Sequence, residues 1–174
     1  MPHHHPTLDV VVAGFIGHRG GVLLTMHKKL GLWLAPGGHV EPGETFDQAL
    51  ARELLEETNL QVGKDVFVYQ EPDDRLRGVQ WREYHNTETS RQQYRPAAIE
   101  THAFLPLEGH NHLCLVYYLF VRDHAAARNI LVNEAESDCL AWLNAEGLER
   151  PDNKVLGSIK WYGHRAIALS HIAR

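Results

Sequence analysis

At 174 residues and 44% hydrophobic content, the chain is long enough to bury one core without staples and short for two ordinary domains. Its net charge of −5 argues against the broad basic face that gripping DNA or RNA requires, so no nucleic acid is expected as the main partner. A small phosphorylated substrate stays open, because a divalent cation can supply the missing positive charge.

Met1 to Asp9 has no basic region followed by an apolar run, so no secretory signal is expected. No stretch approaches the uninterrupted apolar length of a spanning helix, and no membrane partner is expected. His3, His4 and His5 could be a fragment of a metal site, with a disordered terminal stretch as the plain alternative. Leu8 to Gly17 is rich in β-branched residues, and Gly21 to Lys28 is a second apolar run. His18-Arg19-Gly20 lies between them, which predicts a hairpin. Leu32 to Ala35 runs into Pro36-Gly37-Gly38, which is expected to be a loop.

Thr45 to Thr58 reads as a helix. Thr45 and Gln48 form a capping box, no proline or glycine interrupts the segment, and Asn59 suits the left-handed turn that closes a helix. Val62 to Gln70 is expected to be a strand. Glu71 to Pro96 is polar and without period, with Trp81, Tyr84 and Tyr94 among Arg75, Arg77, Arg82, Arg91 and Arg95. An insertion of that length is functional or unstructured in most compact domains. Its aromatic rings could stack on a base and its arginines hold phosphate; a dimer contact is the plain alternative.

Ala97 to Leu105, His112 to Val121 and Ala141 to Leu143 are expected strands. From Pro151-Asp152-Asn153 a C-terminal helix is expected over residues 153–172, with Val155, Ile159, Tyr162, Ala166, Ile167 and Ser170 on one stripe. Strands mixed with two helices predict an α/β fold, a mixed sheet sandwiched between helices, in one domain over residues 1–174. Cys114 and Cys139 form no CxxC pair, so reduced thiols and a cytoplasmic location are expected.

The chemistry concentrates between Gly37 and Leu60. Glu53, Glu56 and Glu57 lie at i, i+3 and i+4, within an arc of roughly 100°. Leu50, Ala51, Leu54 and Leu55 fill the neighbouring arc, which is the expected core face, so the carboxylates stand at its edge. Like charges this close repel, and a cation with a preference for oxygen donors removes the conflict. A solvated acidic face is the plain alternative. Pro36-Gly37-Gly38 brings bare backbone just before the helix, where it can approach an ion or a phosphate. Arg52 is expected to pair with Glu56 one turn on, or to fold back to Glu44.

Gly38, Glu44, Arg52, Glu53, Leu54, Glu56, Glu57, Asn59 and Leu60 resemble the Nudix box, residues 38–60. Asn59 stands where the family has glycine, a tolerated change for a left-handed turn. The resemblance implies a Nudix-type α/β/α sandwich and Mg²⁺-dependent hydrolysis of a pyrophosphate bond, with Mn²⁺ as a substitute. It implies that Glu56, Glu57 and the carbonyl of Gly37 are metal ligands, that Glu53 is a ligand or the base, and that Glu44 and Arg52 support them. It also implies a further acid in a later loop. Glu136, six residues before Trp142, is the candidate, ahead of Glu134 and Glu100.

The substrate class is narrowed only by absences. No arginine-rich element of the coenzyme A kind precedes Gly37, the proline-rich NADH mark is missing, and Arg75-Leu76 stand where two other classes carry proline or tyrosine. A nucleoside triphosphate or an oxidised nucleotide is the expected substrate. A nucleotide sugar or ADP-ribose-type compound is the alternative, and a non-hydrolytic nucleotide binder is a second. A prenyl diphosphate isomerase is disfavoured because Cys114 and Cys139 lie away from the box in sequence. Gly37, Gly38, His39, Trp81 and Tyr84 are the candidate substrate contacts, with His110-Asn111-His112 beside the expected cleft.

Overall fold

The computed structural model describes residues 7–69, 101–107, 110–135 and 137–172. Its spine is β1, Thr7–His18, whose alternating side chains feed two cores. Val12 and Ile16 point to one face, and Val11 and Phe15 to the other. β2, Gly21–His27, returns antiparallel, with Ile16 opposite Leu23 and His18 opposite Gly21, so the predicted hairpin is present. Arg19 takes a φ of 47° at its tip and Gly20 one of 79°. β3, Leu32–Leu34, extends the sheet beyond β2.

The expected loop at Pro36-Gly37-Gly38 is corrected. Gly37–His39 is a short strand, β4, paired antiparallel with β1 through Val11–His39, Val12–Gly38 and Ala13–Gly37. Its hydrogen bonds come from a distant segment, and three residues carry no local periodicity that would have shown a strand.

Helix α1, Phe46–Thr58, starts and stops where the sequence says. The Thr45 hydroxyl accepts the Gln48 N–H at 3.3 Å, and the Gln48 side chain accepts the Thr45 N–H at 2.9 Å. Asn59 closes the helix with a φ of 60°. Of the strand expected over residues 62–70, the described residues form β5, Val66–Val68. Residues before it are spent on a turn, with Gly63 donating to the Val66 carbonyl and Asp65 to that of Gln61.

β6, Thr101–Leu107, and β7, His110–Val121, pair antiparallel, and β7 runs parallel to β1 along nearly its whole length. β8, Ser137–Asn144, is longer than the expected 141–143 and pairs with β2. Its exposed Asp138 and Cys139 hide the alternation in the sequence. The central path is β3-β2-β1-β7-β5, with β4 on β1, β6 on β7 and β8 on β2.

The C-terminal helix is also corrected. Asn144 caps a short helix α2, Ala145–Glu149, by accepting the Gly147 N–H at 2.8 Å, and a 3₁₀ turn follows over Pro151–Asn153. Lys154 then adopts a left-handed φ of 48°, which stops the turn. Val155 bridges to Trp33 instead of joining a helix. Helix α3 spans Gly157–Ser170 and buries Tyr162, Ala166 and Ile167 from the predicted stripe. It crosses β1 at Gly17, where an added Cβ would stand 2.7 Å from the Ala166 carbonyl oxygen.

One core therefore lies under α2 and α3, around Phe15, Leu24, Tyr118 and Leu148, and the other under α1, around Ile16, Leu50, Leu54 and Leu119. This is the expected α/β sandwich with a mixed sheet between helices. Among the described residues, no helix is long and apolar enough to cross a membrane.

The two cysteines are free thiols in opposite settings. Cys114 is buried in the core under α3, and burial pushes its pKa up to about 11. Cys139 is exposed. A thiol-specific disulfide reagent at neutral pH is expected to label one thiol per folded chain rapidly and the second only on denaturation. Two fast thiols in the folded protein contradict this placement of Cys114.

Candidate active site

Leu50 and Leu54, fully buried, anchor α1 on the sheet, each contributing roughly 1.5–3 kcal/mol. The buried face of the helix is not the one expected. Leu55 is 42% exposed, whereas Ala49, Leu50, Glu53, Leu54, Glu57 and Thr58 are buried. At about 100° per residue that arc is centred on Glu57, with Glu53 next to it. The carboxylates of Glu53 and Glu57 therefore sit in the middle of the buried stripe, at 9% and 8% exposure, instead of at its edge. Only Glu56 faces solvent, its side chain 55% exposed.

The glycine strand explains how two acids fit there. Gly38 lies directly against Glu53, and an added Cβ would stand 2.6 Å from its carboxyl carbon. Gly37 has a φ of 152°, and its N–H donates to Oε2 of Glu57 at 3.1 Å. A Cβ on Gly37 would overlap the Val12 carbonyl oxygen and come within 2.9 Å of the Ala13 Cα. Two bare residues thus turn the floor of the site into backbone and leave the space to carboxylates.

Arg52 ties the group together. Its Nε and Nη2 fork onto Glu44 at 2.8 and 3.0 Å, Nη1 donates to Glu53 at 2.7 Å, and Nη2 also donates to the His39 carbonyl at 2.9 Å. Glu56 is a weak partner at 3.5 Å. Of the two expected pairings, the fold back to Glu44 dominates, because a two-point fork onto a carboxylate is stronger than one long contact. Hydrogen bonding to Glu44 above all, then to Glu53, raises the Arg52 pKa far beyond its already high ordinary value.

The Glu44 carboxyl is held below its usual 4.5 by Arg52 and then by the Glu41 N–H. A lowered carboxylate pKa means that the folded state favours the ionised form. This contribution is complete above pH 4.5 and is lost as the pH falls through the lowered value. On acidification below 4.5, the urea midpoint of the wild type is expected to fall towards that of Glu44→Gln. A gap that stays constant contradicts the linkage.

Gly37, Gly38, Glu44, Arg52, Glu53, Glu56 and Glu57 thus come together at α1 and β4. His39 is divided: its carbonyl joins Arg52, while its ring stands edge-on to His112 at 5.2 Å. Glu134 is exposed, and its carbonyl accepts a hydrogen bond from the Lys28 ammonium. Glu136, Glu100, Trp81, Tyr84 and the remainder of the 71–96 insertion lie outside the described residues. The sequence reading overlooked Asp9, which joins His39 and His112 in a close group of side chains. An acid inside the β-branched run that opens β1 was the available signal.

The carboxylates of Glu53, Glu56 and Glu57 are hard oxygen donors, which suit Mg²⁺. The near-contact of Gly38 with Glu53 and the burial of Glu57 give that donor set a cradle that a Cβ would fill.

The fold is thus a mixed sheet between helices, with an acid-bearing helix closed onto a glycine strand. The model of the NUDIX domain matches residues 4–162, and the chain belongs to that family. A Bacillus subtilis protein provisionally named an 8-oxo-dGTP diphosphatase is 45% identical over 53 residues, which are 29% of this chain and 36% of that protein. An ADP-ribose pyrophosphatase from Methanocaldococcus jannaschii is 40% identical over 79 residues, 42% of this chain and 46% of the relative. The chain thus spans less than half the length of these two relatives. The crystal structure of a NUDIX-family hydrolase from Clostridium perfringens superposes with a TM-score of 0.70 at 25% identity, covering 92% of this chain and 97% of that one.

Proposed function

We propose that the chain, as a single domain over residues 1–174, is a divalent-cation-dependent pyrophosphohydrolase. It cuts a phosphoanhydride bond in a nucleoside diphosphate linked to a further group, with nucleoside triphosphates and their oxidised forms as the preferred class. The observation that carries this reading is the burial of Glu53 and Glu57 against the glycine strand. Two carboxylates buried side by side are costly, and a fold keeps them where a cation or a proton is to be handled. The B. subtilis relative's name supports the oxidised-nucleotide class, and the M. jannaschii relative's name keeps ADP-ribose as the second.

Glu56, Glu57 and the Gly37 carbonyl would hold Mg²⁺. A divalent cation there supplies positive charge to the phosphate oxygens and makes nearby water more acidic. The chain's own residues do the rest. Arg52 keeps Glu53 oriented while Glu44 neutralises and braces Arg52. The Gly37 N–H fixes the rotamer of Glu57. In the reaction the oxygen of water bonds to phosphorus, the bridging P–O bond breaks, and the water's proton passes to a carboxylate, for which Glu53 is our assignment. Glu136, Trp81 and Tyr84 are assigned to the later acid and the base-stacking surface.

The test is a panel of nucleoside triphosphates, 8-oxo-dGTP, ADP-ribose, dinucleotides and nucleotide sugars with Mg²⁺, followed by product identification. Pyrophosphate released from triphosphates supports the preferred class. Ribose 5-phosphate from ADP-ribose, or a sugar phosphate, moves the assignment to the second. No Mg²⁺-dependent cleavage of any of them rejects the reading.

A further inference from the structure

The proposed chemistry leaves Asp9, His112 and the side chain of His39 without a task, yet the sheet brings them together from three strands. Asp9 on β1 stands opposite His112 on β7 in the parallel register, and His39 on β4 stands opposite Val11, two residues along β1 from Asp9. Alternation puts all three on one face. Val11 and Cys114, each two residues from Asp9 or His112, belong to the core under α3. Gly38 faces Glu53 of α1, so its neighbour His39 turns the other way. The trio therefore lies on the opposite side of the sheet from the α1 carboxylates. The two sites meet back to back at β4, where the His39 carbonyl accepts Arg52.

One ligand atom from each residue lies within 4.8 Å of the other two, and the two imidazoles meet edge to face at 86°. His39 is exposed, and Asp9 and His112 are half-buried, so solvent reaches the group. Three donors around one ion of the zinc class stand about 3.4 Å apart, given metal–ligand distances near 2.1 Å. The strand ladder holds the three backbones in register, so the donors are presented from fixed positions.

Two imidazoles and one carboxylate are a different donor set from the glutamates of α1. Imidazole nitrogen favours Zn²⁺, Co²⁺ and their neighbours over Mg²⁺. We propose that Asp9, His39 and His112 form a second metal site, which takes one zinc-class divalent cation through three protein ligands and keeps at least one coordination position open to solvent. The site is independent of the hydrolase reading, since none of its side chains belongs to the proposed Mg²⁺ set.

The experiment is a Co²⁺ titration of the full, tag-free chain in excess Mg²⁺, read by the visible absorption of low-symmetry Co²⁺, with Zn²⁺ as competitor. One equivalent of Co²⁺ is expected to bind and to be displaced by Zn²⁺. His39→Ala, His112→Ala and Asp9→Asn are each expected to weaken it at least about tenfold. A variant with His3, His4 and His5 all changed to alanine, and the double variant Glu56→Gln/Glu57→Gln, are expected to bind as the wild type does. His39 is exposed, so its variant decides the matter even if His112→Ala fails to fold. The proposal is overturned if the wild type gives no absorption, if His39→Ala binds unchanged, or if only the terminal histidines or the α1 glutamates matter.

Discussion

Glu57→Gln is expected to lower turnover by about 10²-fold or more on whichever nucleotide the wild type cleaves fastest, with the fold intact. Glutamine keeps the volume of the side chain, and its carbonyl oxygen can still accept the Gly37 N–H that Glu57 now receives at 3.1 Å. What is lost is the charge. Buried beside Glu53, that charge is repelled by its neighbour, and a cation would relieve the repulsion. Two measurements separate these effects. Without Mg²⁺ the melting temperature of the variant measures what the charge itself costs or contributes in the free protein. With Mg²⁺ the wild type is expected to gain stability by mass action, about 2.7 kcal/mol at a hundredfold excess over its dissociation constant, while the variant gains far less. Wild-type turnover in the variant, or an equal Mg²⁺ response in both proteins, would remove Glu57 from the site.

Gly37→Ala is the largest expected loss of stability. The residue combines a φ of 152°, which an L side chain rarely adopts, with a Cβ position already occupied by the Val12 carbonyl. Strain and overlap together are expected to cost about 3 kcal/mol or more. For a chain of this size that lowers Tm by roughly 6–12 °C. Activity should fall further than stability does, since the β4–β1 pairing that presents Gly37 to Glu57 is the pairing that must give way. Gly157→Ala is the contrast. It opens α3 with no atom within 4 Å of the added Cβ, so it should be neutral or stabilising by up to about 1 kcal/mol. A Gly37→Ala protein as stable as the wild type would contradict the close approach of β4 to β1.

Helix α1 was legible because its signals are local. Thr45 and Gln48 cap one end, Asn59 turns the other, and nothing between them resists a helix, so both boundaries follow from neighbouring residues. The association of Glu44 with Arg52 was likewise within reach, since only eight residues separate them along the chain. The strands of the first hairpin were legible because each carries a run of β-branched and apolar residues that alternates between two cores.

Which face of α1 is buried was not legible. Hydrophobicity alone assigns Leu55 to the core and leaves the glutamates at the rim, and the reverse holds for Leu55 and Glu57. The decision was made by β4, whose two glycines remove side chains from the surface that α1 meets and so let acids occupy it. That strand was itself invisible, because its hydrogen bonds come from β1, more than twenty residues earlier. The meeting of Asp9, His39 and His112 has the same origin. The sequence by itself determined the fold class, the helix that carries the acids and the family they belong to, since these depend on residue order over short spans. Only the tertiary structure decided which acids are buried and which residues from separate strands become neighbours, because register between distant segments is set by packing the whole sheet at once.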